Sequence, residues 1–422
     1  MKMAEERYYL CIDFKSFFAS VECAERGLDP MTTNLVVADP SRGRGAICLA
    51  VSPSMKALGV RNRCRIYEIP DHIDYITALP RMKKYIEYSA NIYGIYLKYI
   101  SKDDIHVYSI DEAFLDITPY LKLYKLTPKT LAKKIIKDIQ QTTKIPATAG
   151  IGTNLYLAKV ALDICAKHSP DFTGYLDEEE YKKTLWNHQP ITDFWHVGPG
   201  IARRLAKYGI FDMEGVAKFD EATLYKEFGV NAEFLIDHAW GREPCTIAQI
   251  KAYKSKNNSI STGQILFEDY GFDDALLVLK EMVELKCLDL VSQHLVTDSL
   301  FLYIGYSKDV HKATGGSVKM SETTNSFKLI LPYFIDLYNK TTSRNHPIRQ
   351  ISIGFANVVD ERYESFNLFT DLEAQKKEKA VQDAIIAIKN KYGKNAILKG
   401  MNLEEKATTR KRNTLIGGHN SE

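Results

Sequence analysis

Two adjacent carboxylates, Asp111 and Glu112, lie between two short apolar runs in the segment 108–118. The apolar runs predict the strands of a buried hairpin, with the carboxylates at its exposed turn. Like charges held this close are unfavourable unless a cation or a proton shares the site, which favours a divalent metal. A third carboxylate, Asp13, lies where the strand-like segment 8–12 ends. An Asp-Glu pair is also ordinary turn chemistry, so the pair taken alone leaves both interpretations open.

Two longer segments extend this pattern, CIDFKSFFASVE at 11–22 and SIDEAFLD at 109–116. Together they resemble the paired active-site signatures of the Y-family, lesion-bypass DNA polymerases. Further segments of that family follow in the expected order: AVSPSMKALGV at 50–60, AGIGTN at 149–154, Ala-Lys pairs at 158–159 and 166–167, and VGPGI at 197–201. The motifs end before residue 245, and bacterial UmuC-type members are the most similar.

Composition agrees with this resemblance but does not produce it. The chain has 422 residues, 45% of them hydrophobic, which predicts several domains with substantial cores. The net charge of +3 is too small to indicate nucleic acid, so a binding surface must come from local clusters of bases. The seven cysteines form no pair of zinc spacing, which predicts reduced thiols in a cytoplasmic protein. No signal peptide and no run of 18 apolar residues occurs, so no membrane is expected as a partner.

The order of elements predicts an α+β multi-domain fold. A strand at 8–12, a hairpin of two strands at 105–117 and a strand at 147–151 alternate with helices at 81–100 and 128–142, an order typical of a ferredoxin-like palm. With the family's domain names, the expected boundaries are a catalytic palm at 1–17 and 81–174, small fingers at 18–80, a helical helix-hairpin-helix thumb at 175–245, a β-rich, DNA-binding little finger at 250–358 and a C-terminal tail with a clamp-binding motif at 359–422.

The resemblance implies a two-metal site with two Mg²⁺ ions. Asp13 and Asp111 would bridge both ions, Glu112 would hold the primer-side ion, and the Phe14 carbonyl would bind the nucleotide-side ion. Carboxylate and carbonyl oxygens suit Mg²⁺. Asp116 is expected to face solvent and is left out of the site, and Lys159 is expected on a helix surface.

Phosphate binding in the family uses a Tyr and an Arg on the fingers and a Lys late in the palm. Here Pro53 stands at the Tyr position, Lys56 at the Arg position, and the late lysine is Lys167. Proline offers no donor and lysine no bidentate fork, so the grip on the triphosphate would pass in part to Ser52 and nearby amides. A solvated helix surface is the alternative for both lysines.

The aromatic pair Phe17-Phe18 has two interpretations. Both residues would ordinarily belong to the core of an amphipathic helix, and the backbone of Phe17 could still support the triphosphate. Phe18 matches the steric-gate aromatic of the family, whose ring lies under the incoming sugar and leaves no room for a 2′-hydroxyl. The expected substrate is therefore a dNTP.

The segment 196–201 resembles the hairpin of a helix-hairpin-helix. Gly198 and Gly200 would let the backbone approach a DNA phosphate, and Arg203 and Arg204 follow on the next helix. A plain Gly-Pro turn between helices is the alternative. Farther along, seven bases against three acids in 307–349 fit a DNA-contacting little finger, although a charge run is usually a solvated face.

The segment 365–369 resembles the peptide with which bacterial polymerases hold the sliding clamp. Ser365 replaces the usual Gln and Phe366 the usual Leu, but the Leu368-Phe369 anchor is present. An exposed apolar pair in a polar segment requires a partner pocket. Packing of this pair on the protein itself remains the alternative, and 371–392 is a candidate amphipathic helix.

These features predict an error-prone, template-directed translesion DNA polymerase acting in DNA repair or an SOS-type damage response. Its partners would be primer-template DNA, dNTPs and a sliding clamp, and the sequence leaves open a recombinase filament or accessory subunit. Two other classes remain: a catalytically silent scaffold that binds DNA or the clamp, and a different palm enzyme such as a nucleotide cyclase. The presence of all three carboxylates disfavours the first, and the thumb hairpin with a basic domain disfavours the second.

Overall fold

A computed structural model describes residues 7–255, 258–308, 310–366 and 370–422. The chain divides into a first unit, which extends to Tyr253 and includes Ser421–Glu422, and a second unit, Lys254–Asn420. Within the described ranges, no helix combines the length and apolar character that crossing a bilayer requires.

The first unit alternates strands and helices up to residue 176 and is helical beyond it. Its elements are β1 (Tyr9–Phe14), α1 (Phe17–Glu25), β2 (Leu35–Val37), β3 (Ala50–Val51), α2 (Pro53–Ala57), β4 (Ile76–Ala78), α3 (Met82–Tyr96), β5 (Ile105–Val107), β6 (Glu112–Asp116), α4 (Thr118–Tyr124), α5 (Pro128–Thr143), β7 (Ala147–Gly152), α6 (Leu155–Val160), β8 (Thr173–Leu176), α7 (Glu178–Leu185), α8 (Pro199–Ala206), α9 (Met213–Lys218), α10 (Glu221–Phe228), α11 (Asn231–Ala239) and α12 (Ile247–Ala252).

The palm is a five-stranded sheet in the order β5-β6-β1-β7-β8, with β1 at its centre. Strand β8 pairs in parallel with β7, extends the palm to residue 176, and was not among the strands expected from the sequence. Strand β1 is buried on both faces, and its side chains alternate between them. Leu10 and Ile12 face a core shared with α3 and α5, whereas Tyr9 and Cys11 face α6.

The α6 side of the sheet is packed unusually closely. A Cβ on Gly150 or Gly152 of β7 would lie 2.1 Å from backbone atoms of Ala158 in α6, so only glycine fits at these two positions. The AGIGTN motif therefore brings α6 directly against the sheet. We call the residues packed at this contact the α6 cluster: Tyr9, Cys11, Phe114, Leu155, Ala158, Leu162, Ala166 and Ile247.

Along the chain, the fingers lie between β1 and β5 of the palm, and the thumb follows β8. The fingers contain the three-stranded sheet β3-β2-β4, whose small core includes Val36, Cys48 and Met55. The thumb helices α7 to α11 share a core with residues of α6 and β8. We call it the thumb core, and it includes Tyr181, Leu205 and Leu235.

The second unit is built on a four-stranded antiparallel sheet in the order β11-β10-β12-β9. Apolar residues of α13 and α14 pack against the inward-facing side chains of its strands and form one core with them. Its elements are β9 (Ile260–Tyr270), α13 (Phe272–Ser292), β10 (Leu295–Tyr306), β11 (Thr314–Thr324), α14 (Phe327–Thr341), β12 (Ile348–Ala356), β13 (Val359–Asp360), α15 (Leu372–Tyr392), α16 (Thr409–Arg412), β14 (Leu415–Ile416) and β15 (His419–Asn420).

The end of the chain differs from the expected tail, because residues 372–420 fold within the second unit. The candidate helix at 371–392 is present as α15. Glu281 of α13 is 1% exposed, and its carboxylate accepts hydrogen bonds from the Asn402 side chain at 2.9 Å and the Thr408 amide at 2.7 Å. A buried carboxylate needs such partners, so the segment around 402–409 is part of the domain.

Candidate active site

The three carboxylates meet at one end of the palm sheet. Asp13, near the end of β1, lies directly opposite Glu112, the first residue of β6, and opposed residues of an antiparallel pair point to the same face. Asp111 precedes Glu112 in the turn, and its carboxylate accepts a hydrogen bond from the Ser109 hydroxyl at 2.7 Å. The Phe14 amide donates to the Asp111 carbonyl at 3.2 Å, which ties the end of β1 to that turn. Phe14 itself is buried.

Glu112 is held by a buried lysine. The Lys159 ammonium lies 2.8 Å from Oε1 of Glu112, and their side chains are 9% and 10% exposed. The Cys11 thiol donates to the same oxygen at 3.0 Å. The expectation that Lys159 lies on a helix surface is wrong, because α6 packs face-on against the sheet and directs this side chain toward the carboxylates.

A fourth carboxylate, Asp163, joins the site and was missed by the sequence reasoning. It lies 3.0 Å from the Lys159 ammonium and 2.8 Å from that of Lys167, and Lys167 lies 3.6 Å from Asp13. The available signal was spacing: Lys, Asp and Lys recur every four residues at 159, 163 and 167, which places them on one helical face. Asp163 therefore acts as a shared counter-ion for two lysines.

The electrostatics of Asp13 reflect burial among like charges. Burial, together with the nearby charges of Asp111 and Glu112, raises the pKa of Asp13 to about 6, although Lys167 opposes the rise. Partial burial also lowers the pKa of Lys56, which interacts with Asp13. These interactions place Lys56 of α2 on the same side as the carboxylates.

Lys15 is a further cation that the sequence reasoning missed. Partial burial lowers its pKa, and Lys167 and Lys56 lower it further, so the three ammonium groups lie near one another. The Lys15 ammonium also lies 4.1 Å from the centre of the Phe172 ring. A cluster of three cations beside carboxylates can receive an anion with several charges, such as a triphosphate.

The donor set fits hard divalent cations, since it offers carboxylate oxygens from Asp13, Asp111 and Glu112 on neighbouring strands. Across the ranges that the structure describes, no three Asp, Glu, His or Cys side chains are arranged so that they could hold a metal ion together. Glu112 faces Lys159 at 2.8 Å and Asp13 faces Lys167 at 3.6 Å, so ammonium groups balance the charge of these two carboxylates.

The aromatic pair separates into two environments. Phe17 is the first residue of α1, is 2% exposed and packs 5.4 Å from the Phe14 ring. Phe18 is half-buried and stacks on Tyr85 with ring centres 4.4 Å apart. The Tyr85 hydroxyl donates to Oε1 of the buried Glu22 at 2.8 Å. The Phe18 ring is thus supported from one side and open on part of its surface.

Ser52 has a structural role that corrects its expected contact with the nucleotide. Its side chain is fully buried, and its hydroxyl accepts hydrogen bonds from the amides of Met55 at 3.3 Å and Leu35 at 3.1 Å. It is the N-cap of α2, and Pro53 occupies the first helical position, where a missing N–H costs nothing. The departure from the family pattern at Pro53 is therefore compatible with the local fold.

The thumb hairpin brings the predicted DNA-binding residues to the start of α8. Gly198 is the N-cap of that helix, and a Cβ on Gly198 or Gly200 would meet no atom within 4 Å. Their backbone is therefore open to a ligand from outside. Arg203 is exposed, whereas Arg204 donates to Glu227 at 2.7 Å and stacks on Phe228.

The candidate clamp motif is only partly visible. Phe366 is 48% exposed, and Leu368 and Phe369 lie outside the described residues. Just before the motif, Ser365 exchanges two hydrogen bonds with Thr323 of β11, at 2.9 Å from its amide and 2.8 Å to its hydroxyl. Ser365, at the position of the usual Gln, therefore fixes the start of this segment to the second unit.

Several bases of the 307–349 stretch are engaged in ion pairs. Lys319 lies 3.7 Å from Asp298, Lys340 lies 2.7 Å from Asp336, and Arg349 lies 3.6 Å from Asp269. These pairs are partly or largely exposed, so they are weak and exchange readily for phosphate contacts.

A sheet with carboxylates at the ends of adjacent strands, a cation cluster beside them and a following glycine hairpin defines a palm-type nucleotidyltransferase. The chain matches the model of the impB/mucB/samB family over residues 12–163 and that of the family's C-terminal domain over 257–368. It therefore belongs to this family, the Y-family DNA polymerases. The resemblance, the DNA-directed DNA polymerase class and the α+β multi-domain fold are thereby confirmed.

Individual relatives agree along the whole length. The chain is 31% identical to the "Putative UV-damage repair protein UvrX" of Bacillus subtilis, covering 98% of this chain and 97% of that protein. It is 30% identical to DNA polymerase IV 2 of the same organism, covering 99% and 100%. A solved chimera of the Y-family DNA polymerases Dbh and Dpo4 shares the fold, with a TM-score of 0.65 at 22% identity, over 84% of this chain and 99% of the chimera.

Proposed function

We propose that this protein is an error-prone translesion DNA polymerase that extends a primer 3′-end with dNTPs during repair or an SOS-type response to DNA damage. The observation that carries the proposal is the register that sets Asp13 opposite Glu112, with Asp111 in the adjoining turn. Family membership gives the polymerase class, and the names of the relatives include UV-damage repair and DNA polymerase IV. Primer-template DNA and dNTPs are the substrates of that class.

The carboxylates of Asp13, Asp111 and Glu112, with the Phe14 carbonyl, would hold two Mg²⁺ ions. Such ions, when bound, activate the attacking 3′-hydroxyl and neutralise the leaving pyrophosphate. The chain's own contribution is to keep these oxygens together in a partly buried site, where Lys159 and Lys167 balance the charge of Glu112 and Asp13. Burial is the main cause of the raised pKa of Asp13, and the neighbouring charges of Asp111 and Glu112 add to it.

Lys15, Lys56 and Lys167 would bind the triphosphate, and the backbone of Phe17 would support it. Burial and the nearby charge of Lys167 lower the pKa of Lys15 and of Lys56. An anionic ligand is favoured there, since an added negative charge relieves the repulsion among the three ammonium groups. Phe18, stacked on Tyr85, would lie under the sugar and exclude a 2′-hydroxyl by overlap. The substrate preference for dNTPs follows from that exclusion.

DNA would be gripped without sequence reading at the thumb hairpin. The open backbone at Gly198 and Gly200 and the free N–H groups at the start of α8 suit a phosphate, and Arg203 adds charge nearby. The fingers sheet has strands of only two or three residues, so it can enclose the nascent base pair only loosely. Low fidelity and tolerance of damaged templates would follow from this.

A sliding clamp would be the processivity partner, bound by Phe366, Leu368 and Phe369. The exposed Phe366 and the attachment of Ser365 to β11 support a displayed peptide at this point.

Primer extension tests the proposal. With Mg²⁺ and dNTPs, Asp111→Ala or Glu112→Ala should lower nucleotide addition by about a thousandfold or more, with primer-template affinity nearly unchanged, because the carboxylates act on the transferring phosphoryl group. Asp116→Ala is the matched control, because Asp116 lies at the other end of β6 beside Arg7. Asp116 is 15% exposed, which corrects the expectation that it faces solvent. Retained synthesis in the Asp111 and Glu112 variants would contradict the proposal.

A further inference from the structure

Trp195 connects the palm and the thumb within the first unit. Its side chain packs against both the α6 cluster of the palm and the thumb core. Its ring centre lies 5.8 Å from that of Phe114, which is buried in β6. A side chain that contacts both cores transmits displacement of one to the other, because close-packed interiors are stiff.

On the palm side, Trp195 contacts Tyr108. The indole N–H of Trp195 donates a hydrogen bond to the Tyr108 hydroxyl at 3.2 Å, and the two rings meet edge to face with centres 5.8 Å apart. Tyr108 is 46% exposed, so its side chain is not held in this position by burial in a core. The edge-to-face geometry is a favoured one for aromatic pairs and fixes the orientation of the tyrosine ring.

Tyr108 is also the base of the turn that carries the catalytic carboxylates. The amides of Tyr108 and Ser109 both donate to the Glu112 carbonyl, at 2.9 Å and 3.0 Å. The Ser109 hydroxyl in turn donates to the Asp111 carboxylate at 2.7 Å. A shift of Tyr108 would therefore move Asp111 and Glu112 relative to Asp13.

On the thumb side, Trp195 directly precedes the hairpin at 196–201 that we propose to bind DNA phosphate. His196, the next residue, has a φ of +68°, in the left-handed region that few non-glycine residues adopt. Gly198 follows two residues later as the N-cap of α8. The sharp turn at His196 fixes the direction of the hairpin relative to the Trp195 ring.

We propose that Trp195 and Tyr108 are positioning residues that couple DNA binding at the thumb hairpin to the geometry of the catalytic turn. DNA held at Gly198 would fix Trp195, and Trp195 would fix Tyr108 and with it Asp111 and Glu112. This inference rests on the proposed polymerase function. To that function, the inference adds a chain of contacts through which bound primer-template DNA would fix the positions of the carboxylates.

The first test is a double-mutant cycle of Tyr108→Phe and Trp195→Phe, with single-turnover kcat and primer-template Kd measured for each variant. Each single change should lower kcat by about tenfold with Kd nearly unchanged, since small misplacements of catalytic groups are costly. The double variant should be no slower than the slower single variant, because both changes remove the same contact. Multiplying effects, or a loss confined to Kd, would overturn the inference.

Matched controls exist in both parts of the first unit. Tyr124→Phe removes a palm hydroxyl that donates to the Tyr99 carbonyl at 2.7 Å. Trp186→Phe removes a thumb indole N–H that donates to the Ala239 carbonyl at 2.8 Å. Neither contact joins the thumb to the catalytic turn, so both variants should keep the wild-type kcat. Equal losses of kcat in the controls would show that the losses come from general destabilisation of the protein and not from the contact between Trp195 and Tyr108.

The second test does not depend on catalysis. Hydrogen exchange of peptides covering 105–113 should slow when primer-template DNA binds the wild-type protein, and the slowing should be lost in Tyr108→Phe at saturating DNA. If the wild type fails to extend primers but shows this protection, the proposed polymerase activity is wrong and the coupling stands. Unchanged protection in Tyr108→Phe would overturn the coupling whatever the activity.

Discussion

The burial and crowding of carboxylates at the candidate active site should make the metal-free protein less stable at neutral pH. Asp13 is 20% exposed, and burial together with Asp111 and Glu112 raises its pKa from 3.8 to about 6 despite the opposing effect of Lys167. Asp13→Asn keeps the shape of the side chain and removes its charge. Lys167 retains its ion pair with Asp163 at 2.8 Å, so the substitution leaves no isolated lysine.

The magnitude follows from the difference between the folded and unfolded pKa of Asp13. The folded value lies above the unfolded value, so ionisation is less favourable in the folded state. The resulting penalty is absent below the unfolded pKa, grows as the pH rises through the folded pKa, and is complete above it. A shift of about 2 units at ~1.4 kcal/mol each gives about 3 kcal/mol. For a unit of this size, that corresponds to a rise in Tm of about 6–12 °C.

Calorimetry in the presence of a chelator measures this difference. Asp13→Asn should unfold at higher temperature than the wild type at pH 8, with about half of the free-energy difference remaining at pH 5. Asp116→Asn, which removes a carboxylate beside Arg7 on the same sheet, should bring no such gain. Equal stability of Asp13→Asn and wild type at pH 8, or a gain that does not vary with pH, would refute the reasoning.

Three further outcomes are expected. Phe18→Ala should raise the rNTP/dNTP ratio of kcat/KM by about tenfold or more, and equal losses for both substrates would make Phe18 a packing residue. Alanine at Leu368 and Phe369 should abolish clamp-stimulated synthesis and spare clamp-free synthesis; a motif peptide that does not bind the clamp would contradict this. Lys159→Met should lower the free energy of unfolding by about 3 kcal/mol in urea titrations, because it leaves Glu112 buried without its partner; an unchanged midpoint would show that Glu112 is solvated.

The sequence was sufficient for the carboxylates because their signals are local. Apolar runs that end at Asp13 and at Asp111-Glu112 predict strand ends and a turn without knowledge of the rest of the chain. The same holds for α8, whose start is marked by Gly198 and a proline at the first helical position. These features also carry the family resemblance, so the family and the fold class could be read from the sequence.

The partners of these residues were decided by the tertiary structure. Sequence periodicity places Lys159, Asp163 and Lys167 on one helical face but does not tell which face meets the sheet, and the close approach of α6 to β7 settles that. Ser52 is polar and follows a strand, yet its side chain is completely buried and accepts hydrogen bonds from two backbone amides. Which polar group is a ligand and which is a structural partner depends on contacts far apart in the chain.

The C-terminal region shows the same limit most clearly. The run of charges in α15 is typical of a solvated helix, and the sequence alone predicts a tail. Glu281 is 121 residues from Asn402, and its burial depends on hydrogen bonds with that distant segment. A local pattern reports what a residue would prefer in isolation, whereas burial of a charge is decided by the partners that the completed fold brings to it.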